Sequence, residues 1–183
     1  MIQIRQEQNS DYQPVYRLVQ KAFASAEHSD GNEHDLVKAL RGSDAFIPQL
    51  SLVAESAGRL AGYILFTKLH IGQYTELALA PLAVLPEYQR QGVGTALIEQ
   101  GHRIARELGF YYSVVLGSNR YYGRFGYRPA GQYGIQAPFE VAKENFMALP
   151  LQGTAPLRPG TAQYAKEFGI GSLADYPDAD GRR

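Results

Sequence analysis

The stretch from Leu77 to Ile98 constrains the fold more than any other part of the chain. Leu77 to Leu85 is an apolar run that reads as a buried strand, yet it contains Pro81. Proline has no N–H for a ladder and is confined within sheets to edges or bulges, so a central strand carrying it must open locally. Next comes Pro86-Glu87-Tyr88-Gln89-Arg90-Gln91-Gly92-Val93-Gly94-Thr95. A helical pattern follows, with Ala96, Leu97, Ile98, Ile104, Ala105 and Leu108 as its apolar positions and Gly109 as its stop. A glycine pair between strand and helix lets backbone N–H groups turn around an anion, and the first helical turn adds unpaired N–H groups and a positive dipole end. The pattern predicts a phosphate cradle. It lacks the Lys-Ser/Thr of a Walker A loop and the third glycine of a dinucleotide fingerprint. A lone Gly-x-Gly also serves as a plain tight turn; the placement of Gln89-x-x-Gly92-x-Gly94 between strand and helix favours the cradle.

The surrounding pattern is a mixed α/β alternation. Ile2 and Ile4 mark a short strand, and Ser10-Asp11 offers a helix N-cap with Pro14 in the first turn, followed by Val15, Leu18, Val19, Ala22 and Phe23 at helical spacing. A second helix is predicted from Asn32 to Arg41, burying Leu36, Val37 and Leu40 and stopping at Gly42. Leu50 to Glu55 and Leu60 to Ile71 read as a hairpin through Ser56-Ala57-Gly58-Arg59, Tyr112 to Leu116 as a buried strand, and Phe146 to Leu151 as a late one. No repeat or linker divides the chain. The pattern predicts one domain over residues 1–170, with the Gly/Asp/Pro-rich stretch 171–183 as a flexible tail.

Composition removes several chemistries. The 183 residues include no Cys, which excludes disulfides, thiolate zinc sites and a covalent cysteine intermediate; no metal is expected. Lys plus Arg number 18 against 18 Asp plus Glu, so a nucleic-acid partner is not expected either. The balance is uneven, since residues 85–130 carry a surplus of three positive charges and the remainder the matching deficit. The N-terminus lacks signal-peptide character and no window reaches the ~20 apolar residues of a membrane span, which predicts a cytoplasmic protein without a membrane partner.

Leu82 to Leu97 resembles the acetyl-CoA-binding motif of the GNAT superfamily of N-acetyltransferases, whose core is Gln/Arg-x-x-Gly-x-Gly/Ala. About 25 residues downstream, Tyr121-Tyr122-Gly123-Arg124-Phe125-Gly126-Tyr127 resembles the family segment in which a Tyr stands four residues before a Gly-aromatic pair. More narrowly, Pro81-Leu82-Ala83-Val84-Leu85-Pro86, the Tyr-Tyr-x-Arg-Phe-Gly segment and Gly160-x-x-x-Tyr164 are similar to the YhbS-type acetyltransferases. The resemblance implies the GNAT fold: α/β, with a mixed, mostly antiparallel sheet splayed at a central strand and flanked by helices. It also implies acetyl-CoA as cosubstrate and, as acceptor, a small-molecule or peptide amine, in a monomer or homodimer.

Residue by residue, the resemblance implies that the backbone at Leu82, Ala83 and Val84 pairs with the pantetheine arm and that one of its N–H groups polarises the thioester carbonyl. Gln89, Arg90, Gln91, Gly92, Val93, Gly94 and Thr95 surround the pyrophosphate, and Tyr122 protonates the leaving thiolate. Many members carry an Asn seven residues before that Tyr; Val115 stands there in this chain, which leaves Asn119 to take the contact. Arg90, Arg120 and Arg124 are candidates for phosphate contact, with packing on Tyr127 or Phe125 as the competing reading of Arg124. Without Cys, transfer runs directly from CoA to a bound amine. A lysine-like amine is neutral in about one molecule in two thousand at pH 7, a handicap of about 4–5 kcal/mol that a general base offsets. The base candidates are Glu76, at the start of the splayed strand, and behind it His70 and Glu33. A strand-end surface carboxylate is the competing reading of Glu76. The alternative function is a non-catalytic acyl-CoA-binding sensor or regulatory module, which would need no thiolate acid.

Overall fold

The glycine-flanked helix forms where its pattern places it. In a computed structural model that describes residues 1–26, 29 and 31–170, it runs Val93–Glu107 and is the third of four helices. The chain divides into two compact units, Met1–Thr67 with Ala80–Ala105, and Lys68–Leu79 with the chain from Arg106 onward. The tail expected at 171–183 lies outside the described residues.

The first unit opens with β1 (Ile2–Gln6), α1 (Tyr12–Phe23) and α2 (Glu33–Arg41). β2 (Ser51–Ser56) and β3 (Arg59–Ile71) follow as an antiparallel hairpin whose turn has Ala57 and Gly58 at φ of 50° and 74°. Two left-handed residues give such a turn the twist of its strands. β1 pairs antiparallel with β2. Val15, Leu18 and Val19 of α1 are buried, as are Val37 and Leu40 of α2. Leu36 is only half-buried; His34 takes the interior place, edge-on to the Tyr16 ring at 4.7 Å. Asp11 does not cap α1 with its side chain. Its carboxylate instead receives the Arg5 guanidinium at 2.7 and 2.9 Å, and this pairing holds it below the usual carboxylate range. A second polar network is largely internal. Arg41 pairs with Glu7, the Ser51 hydroxyl donates to Glu7 at 2.6 Å, and the Ser51 and Tyr63 hydroxyls meet at 2.7 Å.

The helix α3 (Val93–Glu107) seats on β3 through two glycines. A Cβ at Gly62 would lie 2.8 Å from Val93 Cγ1, and 3.0 Å from both Ala83 O and Leu97 Cδ1. A Cβ at Gly101 would enter the Phe66 ring, 2.8 Å from Cζ. Side chains at either site would lift the helix and shift its N-terminus.

The long strand β4 (Tyr74–Val84) passes from the second unit into the first. In the second unit it pairs in parallel with β5 (Tyr112–Leu116) at Leu77–Ser113 and Ala78–Val114, and this ladder ends before Pro81. A proline inside the strand is tolerated because the opened segment asks no ladder N–H of it. β8 (Phe146–Pro150) pairs antiparallel with β5 and with β6 (Arg128–Pro129). β7 (Ile135–Gln136) pairs in parallel with β9 (Gly160–Gln163), which pairs antiparallel with the end of β3. Strand neighbours run β1-β2-β3-β4-β5-β8-β6, an open and mostly antiparallel arrangement. Leu69, Ile71, Ala78, Tyr112, Val114, Phe146 and Ala148 form the core of the second unit. Among the described residues, no helix is long and apolar enough to cross a membrane.

Glycine to alanine in a helix interior normally gains about 1 kcal/mol of propensity, whereas overpacking costs about 1–3 kcal/mol. Because Phe66 is fully buried and cannot move aside, Gly101→Ala is expected to destabilise the protein on balance. Thermal melts that show a raised Tm would contradict the seating of α3 described here.

Candidate active site

The cradle is built from the first unit's part of β4 and the start of α3. After Val84 the Leu85 N–H donates to Ala61 O at 3.0 Å, which ties the strand's exit to β3, and Pro86–Tyr88 forms a single 3-10 turn. Two side chains then brace the loop from within. Gln89 Nε2 donates to Val84 O at 3.3 Å, and Gln91 Nε2 donates to Glu87 O at 2.9 Å. The side chains of these two glutamines, both expected at the cofactor, therefore brace the loop. Lys21 adds an outer strut by pairing with Glu87 at 2.9 Å.

Arg90 and Gly92 both have left-handed φ, 58° and 87°. Between residues of ordinary φ these reversals turn successive amides toward one side, the arrangement that binds anions. The helix's own hydrogen bonding begins with Ala96 N–H donating to Gly92 O at 3.0 Å, so the amides of Val93, Gly94 and Thr95 precede it and have no carbonyl one turn back. A Cβ at Gly92 would meet nothing within 4 Å. The space beside Gly92 is thus empty, and a row of backbone donors of this kind suits a pyrophosphate. Leu82 and Val84 are half-buried and Ala83 is buried.

The second unit carries Tyr122. β5 ends at Leu116; Gly117 and Ser118 lead into α4 (Asn119–Tyr122), where the Ser118 hydroxyl accepts from Tyr121 N at 3.3 Å. The Tyr122 ring is flanked edge-on by Tyr121 at 5.0 Å and Tyr127 at 5.7 Å, and its hydroxyl makes no hydrogen bond among the described residues. Burial, with a smaller contribution from Tyr121, pushes that hydroxyl above the ordinary phenol range, so it stays protonated at neutral pH. Tyr127 lies behind it, fully buried, its hydroxyl donating to Ser113 Oγ at 2.8 Å. Asn119 is exposed at the first position of α4. Val115 is core, paired with Met147 of β8, so no polar contact comes from that position. Arg124 lies over the Tyr121 and Phe125 rings at 4.7 and 5.5 Å, which favours the packing reading of that side chain.

Glu76 requires a correction. It is 1% exposed and so is no surface carboxylate. One carboxylate oxygen accepts Tyr111 N–H at 3.0 Å and the other accepts Arg158 Nε at 3.0 Å, while the Arg158 guanidinium stacks on Tyr74 at 4.0 Å. A general base needs a lone pair turned to its substrate, and both oxygens of Glu76 already accept hydrogen bonds, one from the residue before β5 and one from Arg158. His70 is exposed and meets the Thr75 hydroxyl at 3.2 Å. Glu33, first in α2, accepts Ser29 Oγ at 2.6 Å on one oxygen, and its other oxygen is buried without a partner among the described residues. Arg158 escaped the sequence reading because 82 positions separate it from Glu76, and no local pattern joins them.

With the cradle's geometry in place, comparison with known proteins decides the family. Residues 5–127 match the model of the acetyltransferase (GNAT) family. The chain belongs to that family. Among curated GNAT relatives, the uncharacterized N-acetyltransferase YjhQ of Escherichia coli (strain K12) is 37% identical over 141 residues, 74% of this chain and 75% of that protein. A GNAT acetyltransferase from Brucella melitensis, solved in complex with acetyl-CoA, is 31% identical, covers 92% of this chain and 98% of its own, and superposes with a TM-score of 0.76. The E. coli GNAT acetyltransferase YhbS, solved with CoA, is 25% identical with 96% of each chain covered and a TM-score of 0.80. The YhbS-type resemblance is thereby shown, and the fold is the GNAT fold.

Arg158→Ala would strand the Glu76 carboxylate in the interior. Removal of one partner from a buried pair costs about 3–5 kcal/mol, so urea titration is expected to show a loss of that order. A loss below about 1 kcal/mol, the size of an exposed pair, would mean that the pair is solvated.

Proposed function

We propose that this GNAT acetyltransferase transfers the acetyl group of acetyl-CoA directly to a primary amine in a ternary complex. The observation that carries the reading is the turn into α3, with left-handed Arg90 and Gly92, empty space beside Gly92 and the first-turn amides of the helix, in a family whose solved relatives bind acetyl-CoA or CoA. The amides from Arg90 to Thr95 hold the pyrophosphate, and the backbone of Leu82, Ala83 and Val84 orients the pantetheine arm. A backbone N–H near Ala83 or Val84 stabilises the oxyanion that develops at the thioester carbonyl. The amine nitrogen forms its bond to the carbonyl carbon as the C–S bond breaks, and the Tyr122 hydroxyl supplies the proton that the departing thiolate takes up. The raised ionisation of Tyr122 suits a donor, since its hydroxyl keeps its proton throughout the neutral range.

For the proton released by the amine, Glu33 is the better supported of the three base candidates. Of the three it alone keeps a buried carboxylate oxygen without a partner among the described residues, whereas each oxygen of Glu76 already accepts a hydrogen bond and His70 is solvent-facing. Asn119 and the backbone of Gln89 and Gln91 complete the proposed cofactor contacts. The acceptor is a small-molecule or peptide amine, and the protein acts as a monomer or homodimer in the cytoplasm.

Thiol release from acetyl-CoA against a panel of spermidine, an aminoglycoside, a lysine peptide and peptides with free N-termini tests the reading. Turnover above hydrolysis with at least one amine is expected, falling on the order of 10²–10⁴-fold in Tyr122→Phe. CoA binding without thiol release for any of these amines would favour the sensor alternative. The alkaline limb due to Tyr122 should lie above pH 10, the ordinary phenol value, because its ionisation is raised. Gly92→Glu should abolish CoA binding in a folded protein by combining backbone strain with like charge; unchanged affinity would remove the cradle from this loop.

A further inference from the structure

The Tyr122 ring rests against a residue that has no side chain. Gly117 does not have a left-handed φ, so its backbone conformation is open to any residue. What demands glycine is space. A Cβ there would lie 2.7 Å from Tyr122 Cε2 and 3.1 Å from Cδ2, and its third neighbour is Cζ of the same ring at 3.8 Å. Nothing else comes as near. The glycine is therefore explained by one contact alone, and that contact is with the proposed proton donor.

Neither backbone is free to retreat. Gly117 N–H donates to Asn145 O at 2.9 Å, and Tyr122 N–H donates to Ser118 O at 2.9 Å. On its other sides the ring meets Tyr121 and Tyr127, the latter anchored by its bond to Ser113. An added methyl group thus falls on a ring that is half-buried, and the ring's way out is toward solvent.

We propose that Gly117 is a positioning residue for catalysis: its missing side chain lets the Tyr122 ring lie against the β5–α4 turn and sets the direction of the Tyr122 hydroxyl. This rests on the reading of Tyr122 as proton donor. A methyl group at 117 displaces the ring, and among its nearest neighbours there is no atom of the cradle. A displacement near 1 Å costs up to ~10²-fold in rate, and the loss falls on kcat rather than on the KM for acetyl-CoA.

The test compares Gly117→Ala with the unaltered protein, each alone and in a Tyr122→Phe background. Acetyl-CoA and the amine turned over best in the panel serve as substrates. Gly117→Ala is expected to lower kcat at least about tenfold with KM for acetyl-CoA changed less than about twofold, and to lower kcat little further once Tyr122 is Phe. Protein grown with 3-fluorotyrosine gives a readout that needs no acceptor. The ¹⁹F resonance that disappears in Tyr122→Phe should shift in Gly117→Ala, and its alkaline titration should move down toward an ordinary phenol as the ring gains solvent. Unchanged kcat and resonance in a folded Gly117→Ala, with turnover still lost in Tyr122→Phe, would overturn the role of Gly117 and leave that of Tyr122 standing. Full turnover in Tyr122→Phe would overturn the proton-donor reading and this inference with it. If Gly117→Ala fails to fold, the double variant with Tyr122→Ala removes the contact and should fold again; persistent unfolding would overturn the inference.

Discussion

The seating of α3 on β3 governs the geometry of the first unit. Gly62 and Gly101 let a 15-residue helix approach the sheet more closely than side chains would allow. That approach fixes where the helix begins, and therefore where its first-turn amides point. The loop before it is braced separately, by Gln89 and Gln91 onto their own stem and by Leu85 onto Ala61. An anion site made of amides has no flexible charged arm to compensate for misplacement, so its affinity depends on packing some distance from the anion.

The second unit follows another logic, in which buried polar groups are paired and aromatic rings are wedged. Glu76, Arg158 and Tyr111 N–H form a set that holds the start of β4 against the residue before β5 and the chain after β8. Around Tyr122 the rings of Tyr121 and Tyr127 and the bare backbone of Gly117 restrict the ring, and its hydroxyl has no hydrogen bond among the described residues. A hydroxyl held by shape, and not by a bond, is the state that the proposed proton donor requires. The internal Glu7, Arg41, Ser51 and Tyr63 network of the first unit is a structural counterpart, in which every charged group has a partner.

Much of this was legible from local pattern. Helices α1, α2 and α3 and the β2–β3 hairpin follow from periodicity and turn residues, since their hydrogen bonds are local or between adjacent segments. The two-residue strands β6 and β7 and the short β9 had no such signal, because strands that short exist only through partners distant in sequence. His34 took the buried place expected for Leu36 because helical periodicity gives a stripe but not its centre. Val115 was recognised as a departure from the family pattern, and its burial beside Met147 shows why no polar contact arises there.

What the sequence determined by itself was the chemistry available: no thiol nucleophile, a glycine-bearing strand-to-helix turn and a tyrosine set before a Gly-aromatic pair. Those properties reside in residue types and short spacings, which survive without coordinates. Tertiary structure alone decided how each group is used. It turned Glu76 from a candidate base into a buried ion-pair partner of Arg158, assigned Gln89 and Gln91 to bracing the loop, and gave Gly117 a reason to lack a side chain. Each of these outcomes depends on which distant atoms arrive within a few ångströms, and a linear pattern does not encode that distance.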